Sequence, residues 1–594
     1  MSNQERRWNL EDILPVDKFD EHYSLIERKL EQFPIMLANL SPSMSADEFR
    51  NIILYQEDLL QDLNHLGYLP HLMINVNVQD SNAREMFERY KQLGLLCEEK
   101  AINLEHWIKG KKVEGLDTLD NKNAQRLFSV IPDLEYNFHI ARDNATYTLN
   151  QSEEMIISEK DSNGISVVNS LRDMIVNDFE YKFKPKEAKR SKIFKTGSDL
   201  DKYRTSVKPE ERQASYQALF EPFKKNIEKL FVIYQAVCSD WDKETKRRGF
   251  ATPISQRNLS NNVPDKAVST LLEVCSANTN IFQDFFKYKA ELLGMQKLRR
   301  YDIYAPISRV EAPKIPFNKG IEIVLNTING FSGNFHEKAK RIIDDNHIDS
   351  HPRKGKNSGA FCATISPKVS PYILTNYDGT INSISTLAHE LGHGIHSLFA
   401  ENKPASVQQA GLALAETAST FSEMILFDRL FQEANNNQVR KEMLIDKISS
   451  SYATIMRQAY FIKFEQLAHE EIQKGTTAEK LSDIYFETLK EQFGNSLEID
   501  SNFRYEWSYI PHIFHTPFYC YAYSFGEILS TSLYDRYKQE GKSFIPKIEN
   551  ILEAGGSQNP QKILEDVGVD IHSKDFWQGG FNQIREMQKQ LETL

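Results

Sequence analysis

The runs "FDEHYSLIERKLEQFPIMLANL", "ADEFRNIILYQEDLLQDLNHL" and "AREMFERYKQLGLLCEEKAINLEHWI" space their apolar residues by threes and fours, with charges between them. That period marks amphipathic helices with one buried face. A chain dominated by such segments must pack helix on helix, so the expected class is mainly α. At 594 residues it is several domains' worth of chain and can bury a large core. Changes of texture divide it into an N-terminal helical region, 1–112, a small helical domain, 113–190, and a long remainder, 191–594. The basic stretch "KFKPKEAKRSKIFKTG" near the second boundary is read as a solvated connector.

One interruption breaks the helical pattern. "GAFCATI" (359–365) and "PYILTN" (371–376) are short β-prone runs joined by "SPKVS", and they predict a hairpin or two neighbouring strands. "YDGT" then turns the chain, and a Ser or Thr cap starts a helix near Ser383 or Ser385. The order strand, turn, helix sets the next segment, "TLAHELGHGIHSLF", beside a small sheet.

On that helix each residue advances about 100°, so His389 and His393 face one way and stand about 6 Å apart. Two imidazoles can then reach one ion, while Glu390 sits to the side, where its carboxylate can meet a water. This is the H-E-x-x-H arrangement of zinc-assisted hydrolysis. "LAHEEIQKG" repeats the Leu-Ala-His-Glu part, but Gln473 occupies the place of the second histidine, so His469 is read as an ordinary helical residue.

A catalytic zinc needs a third protein ligand. His396 lies about 10 Å further along the helix axis than His389, too far to share the ion; it is placed behind the ligands, toward substrate, or in the packing. The longer metzincin pattern fails, because its last histidine would fall at Phe399. "GLALAETASTFSEMILFDRL" offers Glu416 and Glu423 seven apart, on one face of an apolar helix, where a carboxylate is costly unless it meets a cation. Glu416 is the expected third ligand and Glu423 the acceptor for an imidazole N–H. Capping, or pairing with Arg429, is the competing use of these two acids.

Composition narrows the partners. A net charge of −11 argues against a general nucleic-acid or anionic-membrane surface. Five scattered cysteines without a CxxC pair suggest neither a disulfide frame nor a thiolate metal site, and fit a reducing compartment. "MSNQERRWNLEDILP" lacks the apolar core of a signal peptide, and no run approaches a membrane span, so a cytoplasmic protein is expected.

"AHELGHGIHS" followed by "ETASTFSE" resembles the M3 metallopeptidases, and "KGKNSGAFC", "YILTNYDGT" and "RRWNLEDILP" are similar to the oligoendopeptidase F branch of that family. The resemblance spans essentially the whole chain. It implies a zincin-like helical oligopeptidase with a deep substrate channel, a 113–190 domain of the oligoendopeptidase F N-terminal type, and an M3-type catalytic domain over 191–594. It further implies one zinc ion on His389, His393 and Glu416, Glu390 as general base, and oligopeptides as substrates. In "IPHIFHTPFYCYAYSFG" a His/Tyr segment similar to the family's implies transition-state donors, with His512 and Tyr519 or Tyr521 favoured and Tyr523 beside substrate. His515 stands where relatives often carry an aromatic residue. The 359–365 strand could take up an extended peptide through the backbone of Gly359 and Ala360, and close packing around the site would offset the helix cost of Gly392 and Gly394. Two rival readings are a zinc carboxypeptidase on a similar channel and a non-enzymatic peptide-binding scaffold, which would not need Glu390.

Overall fold

The computed structural model describes residues 5–307 and 314–594. The chain is mainly α, as its periodicity predicts, and the few strands among the described residues form three small sheets. It divides into two compact units, each assembled from separated stretches: Met1–Thr146, Ala312–Leu430 and Arg536–Asp570 make the first, and Tyr147–Glu311, Phe431–Asp535 and Ile571–Leu594 the second. These units cut across the expected partition at 112 and 190, which follows the chain in order.

In the first unit, helices α1 (Phe19–Leu37), α2 (Ala46–Val76), α3 (Ser81–Ile108) and α4 (Pro132–Asp143) present their apolar stripes to one core. The start of α2 is fixed by a reciprocal cap, in which Ser45 accepts the Glu48 N–H and Glu48 accepts the Ser45 N–H. Phe33, Phe49, Trp107 and Phe128 fill the middle of that core. The same core reaches a three-stranded sheet of β1 (Ile348–Asp349), β2 (Phe361–Ala363) and β3 (Tyr372–Leu374).

Strand β3 is central, parallel to β1 and antiparallel to β2, with Cys362 opposite Ile373. The expected hairpin is therefore present, and β1 is an addition that two residues of sequence could not announce. Strand β2 is left as an edge. The "RRWNLEDILP" segment pins this sheet: the Trp8 ring lies edge-on to Tyr372 at 5.9 Å, the Tyr372 hydroxyl donates to the Asn9 carbonyl, and the Arg6 N–H donates to Ser350. Helices α5 (Ile381–Phe399) and α6 (Thr417–Glu433) follow, and α5 packs on β2 and β3. The sheet thus lies beside the H-E-x-x-H helix, as the strand–turn–helix order predicted.

"KGKNSG" orders the approach to β2. The Lys356 ammonium is fully buried, donates to the carbonyls of Thr375 at 2.6 Å and His351 at 2.9 Å, and pairs with Asp349 at 2.6 Å. Burial pushes this lysine down from its ordinary value, with the Asp349 carboxylate opposing. A buried amine with so many oxygen partners fixes a loop otherwise free to wander.

Candidate metal centre

The helix that carries the histidines begins at a turn written into "YDGT". Gly379 takes the left-handed backbone at φ +86°, and the Asp378 carboxylate accepts the Thr380 N–H at 3.1 Å. Thr380 then accepts the Ser383 N–H at 3.2 Å and caps α5. The helix starts at Ile381, earlier than expected, because the cap comes from Thr380 and not from a serine further on.

His389 and His393, one turn apart, bring their Nε2 atoms to 3.1 Å, and a Glu416 carboxylate oxygen stands 3.5 Å from each. Donors held ~2.0–2.1 Å from a tetrahedral ion sit about 3.3 Å from one another, so the triangle already has the size that zinc requires. Among the described residues this is the one group of histidine, cysteine and acidic side chains so assembled. Two imidazoles and one carboxylate are also the donor set of catalytic, open zinc sites. The residues fit the ion.

Glu416 does not lie inside a continuous helix. It sits at a break between the short helix Leu412–Ala415 and α6. There its carbonyl starts the next helix by accepting the Thr420 N–H, and Ser419 donates to its carboxylate at 2.7 Å. The turn aims the side chain at the histidines. Glu423, one and a half turns along α6, accepts the His389 Nδ1–H at 2.5 Å. A carboxylate only accepts, so Nδ1 carries a hydrogen, and Nε2 is left facing Glu416 and His393, where a bound ion would take the place of any proton it holds.

Gly392 is what lets the two helices approach. A Cβ there would stand 2.5 Å from the Ser419 Cα and 2.6 Å from the Ala418 carbonyl oxygen, both backbone atoms that cannot yield. At Gly394 the nearest obstacle is the Ile342 methyl end, also at 2.5 Å, which can rotate away. Gly392→Ala is therefore expected to cost about 1–3 kcal/mol of stability through overpacking and to lower metal content, with Gly394→Ala much milder. Thermal unfolding with metal analysis checks this, and equal effects of the two would contradict the packing argument.

Glu390 is buried beside the cluster. Burial, with Glu416 and Glu423 adding to it and His389 opposing, pushes its carboxyl up to about 7, the range in which a carboxylate both takes and returns a proton. Burial works against a charged His389, but the Glu423 hydrogen bond and the surrounding acids outweigh it and lift that imidazole to about 9. Burial, helped by His393, drives His396 down to about 4, and its Nε2 has no hydrogen-bond partner among the described residues.

Glu390, His396 and Gln408 line a cavity of about 400 Å3 together with Ala360, Phe361 and Thr364. Edge strand β2 forms one wall. Within the strand region Ala360 reaches the cavity, whereas Gly359 already donates its N–H to Asn357 and gives its carbonyl to Asn376.

The His/Tyr segment belongs to the second unit. The Tyr523 hydroxyl and His512 Nε2 are 3.2 Å apart, and the Tyr519 ring stacks parallel to His512 with centroids at 6.3 Å. Tyr523 is exposed. Burial lowers His512 from its ordinary value, with His515 contributing, and His515 meets Asp173 at 3.1 Å. Tyr521 points inward: it is 1% exposed, and its hydroxyl accepts from Asn261 at 2.8 Å. The structure therefore groups His512, Tyr519 and Tyr523, and sets Tyr521 apart in the core.

Helix α7 (Arg457–Gln473) anchors this segment from below. Glu465 accepts the Phe518 N–H at 2.8 Å, holding Phe518 in the left-handed region at φ +58°, and Arg257 donates to the Pro517 carbonyl. His469, one turn on, bonds Asp242 at 2.8 Å and takes no part in the metal-capable group.

Burial pushes the Glu465 carboxyl up from 4.5 to about 8, against the Phe518 N–H and Arg257. Its contribution to stability is whole below about 4.5 and is lost as pH rises toward 8, because the unfolded chain ionises first. Glu465→Gln cannot titrate, so its melting temperature relative to the parent is expected to rise steadily from pH 5 to pH 8. A constant difference would contradict a protonated Glu465.

This fold and this donor set define a zincin-like metallohydrolase scaffold. Residues 203–583, more than half the chain, match the sequence model of peptidase family M3, and the chain belongs to that family. It is 32% identical to the oligoendopeptidase F homolog of Borreliella burgdorferi over 372 residues, 61% of this chain and 62% of that protein, so the match spans less than two thirds of that relative. It is 22% identical to oligopeptidase PepF of Bacillus subtilis over 99% of this chain and 87% of that one. The crystal structure of oligoendopeptidase-F from Enterococcus faecium shares the fold, with a TM-score of 0.70 at 21% identity over 97% of this chain and 98% of that one.

Proposed function

We propose that the protein is a zinc-dependent oligoendopeptidase that cuts internal bonds of short unstructured peptides. The observation that carries this reading is the triangle of His389, His393 and Glu416 with buried Glu390 at its side. When bound there, a zinc ion supplies Lewis-acid activation of water and polarisation of a carbonyl. Glu390, buried beside the cluster, takes the proton from the attacking water and returns it to the leaving amine. Glu423 holds His389 in one tautomer, and β2 with Ala360 offers an extended peptide an edge to pair with.

His512 and Tyr519 are our proposed donors toward the oxyanion, with Tyr523 beside them, on the likeness of this segment to the family's His/Tyr run; the buried Tyr521 hydroxyl, engaged by Asn261, is the weaker choice. His396, with an unpartnered Nε2 in the cavity wall, is assigned to substrate positioning. No helix among the described residues is long and apolar enough to cross a membrane, and we propose a cytoplasmic site of action. Mass spectrometry of a digested decapeptide tests the reading. Internal cuts abolished by a chelator and restored by zinc are expected, whereas removal of single C-terminal residues would make the enzyme a carboxypeptidase.

A further inference from the structure

A second cavity, of about 530 Å3, lies within the first unit among α1, α2, α3 and α4, and none of its lining residues borders the cavity at Glu390. Its wall is chiefly apolar, with Phe33, Leu59, Leu63, Leu104 and Phe138 contributing, but it also holds Glu57, Glu98 and Glu105 and no lysine, arginine or histidine. Glu105 has its own partner in Lys109. Glu57 is different: it is 8% exposed and no cation pairs with it among the described residues. Among the described residues its only hydrogen bonds come from Ser406, N–H to one oxygen at 3.1 Å and hydroxyl to the other at 2.5 Å. Buried carboxylates without a countercharge are costly and rare. Each carboxylate oxygen can accept a second donor, so Glu57 has room for one more without releasing Ser406.

Two independent features of the wall agree. Gly94 sits in the middle of α3, where glycine is a poor helix former, and a Cβ built on it meets nothing within 4 Å, so the missing side chain leaves the cavity open. The Asn137 side-chain oxygen, also in the wall, is buried and accepts no hydrogen bond from the described residues. An apolar space with a buried carboxyl group that meets no cation among the described residues, and with an unused acceptor, calls for a ligand that is greasy at one end and a cationic N–H donor at the other. We propose that this cavity binds an apolar primary amine, its ammonium on Glu57 and its hydrocarbon against α1, α3 and α4.

Calorimetric titration of the full chain with n-octylamine tests this, with n-octanol and octanoate as matched neutral and anionic probes. One equivalent of octylamine is expected to bind, with octanol at least about tenfold weaker and octanoate not at all. Glu57→Gln, which keeps an acceptor for Ser406, should weaken octylamine about tenfold or more. Gly94→Leu, which fills the space and favours the helix, should abolish binding while the melting temperature holds or rises. Equal binding of the three probes, or undiminished octylamine binding to either folded variant, would overturn the proposal.

Discussion

Glu390→Gln is expected to keep the metal and lose about 10²–10⁴-fold in kcat, with KM for a quenched peptide little changed. The amide fills the same space in the same buried wall, so neither the His389–His393–Glu416 triangle nor the cavity needs to rearrange. What disappears is the group that accepts and returns the proton. Steady-state kinetics together with zinc stoichiometry by elemental analysis check both halves. A variant with parental kcat would remove Glu390 from the chemistry, and one that loses zinc would show that it acts on the ligands instead.

The second large effect falls on Glu416. Glu416→Ala leaves two imidazoles and opens the side of the site that α6 now closes, and it also frees Ser419 from its 2.7 Å bond. Altering a group that merely orients a ligand costs about 10–100-fold in metal affinity; deleting the ligand is expected to exceed that and to abolish peptide cleavage at ordinary zinc levels. Glu423→Ala should fall inside the smaller range, because it removes only the bond that orients His389. Zinc titration against a competing chelator measures all three proteins. Equal affinities for the Glu416 and Glu423 variants would mean that the two acids had been assigned the wrong way round.

Periodicity made the site unusually easy to read. Histidines four apart on an apolar helix face one way, and an acid inside "LALAETASTF" is costly without a partner, so the grouping of His389, His393 and Glu416 could be anticipated from spacing and composition. The small sheet was visible in "GAFCATI" and "PYILTN" for the same reason, as an interruption of the helical period. What the sequence hid were features made by distant partners. The break at Glu416 looks like mid-helix sequence, because the strong helix formers of "LALAE" run straight into an apolar helical pattern, and only the Ser419 contact and the approach of α5 mark the turn. Lys356 sits in "KGKNSG" like any surface lysine, yet two segments of chain, one at Asp349 and His351 and one at Thr375, close over it; its glycine neighbours were the only local signal of a tight loop.

The tyrosines show the same limit. Tyr519, Tyr521 and Tyr523 alternate in one short run, and nothing in their spacing separates a buried hydroxyl from an exposed one. The separation comes from Asn261, some 260 residues earlier in the chain, which takes Tyr521 into the core. Glu57 is equally silent in sequence, since α2 is rich in acids and only its burial against Ser406, 349 residues away, singles it out.

The most direct trial is a crystal structure of the zinc-loaded chain with anomalous data collected on both sides of the zinc edge. One peak is expected between the Nε2 atoms of His389 and His393 and the Glu416 carboxylate, at about 2.0–2.1 Å from each. A peak elsewhere, or a Glu416 side chain turned away from both imidazoles while they hold the ion, would contradict the account.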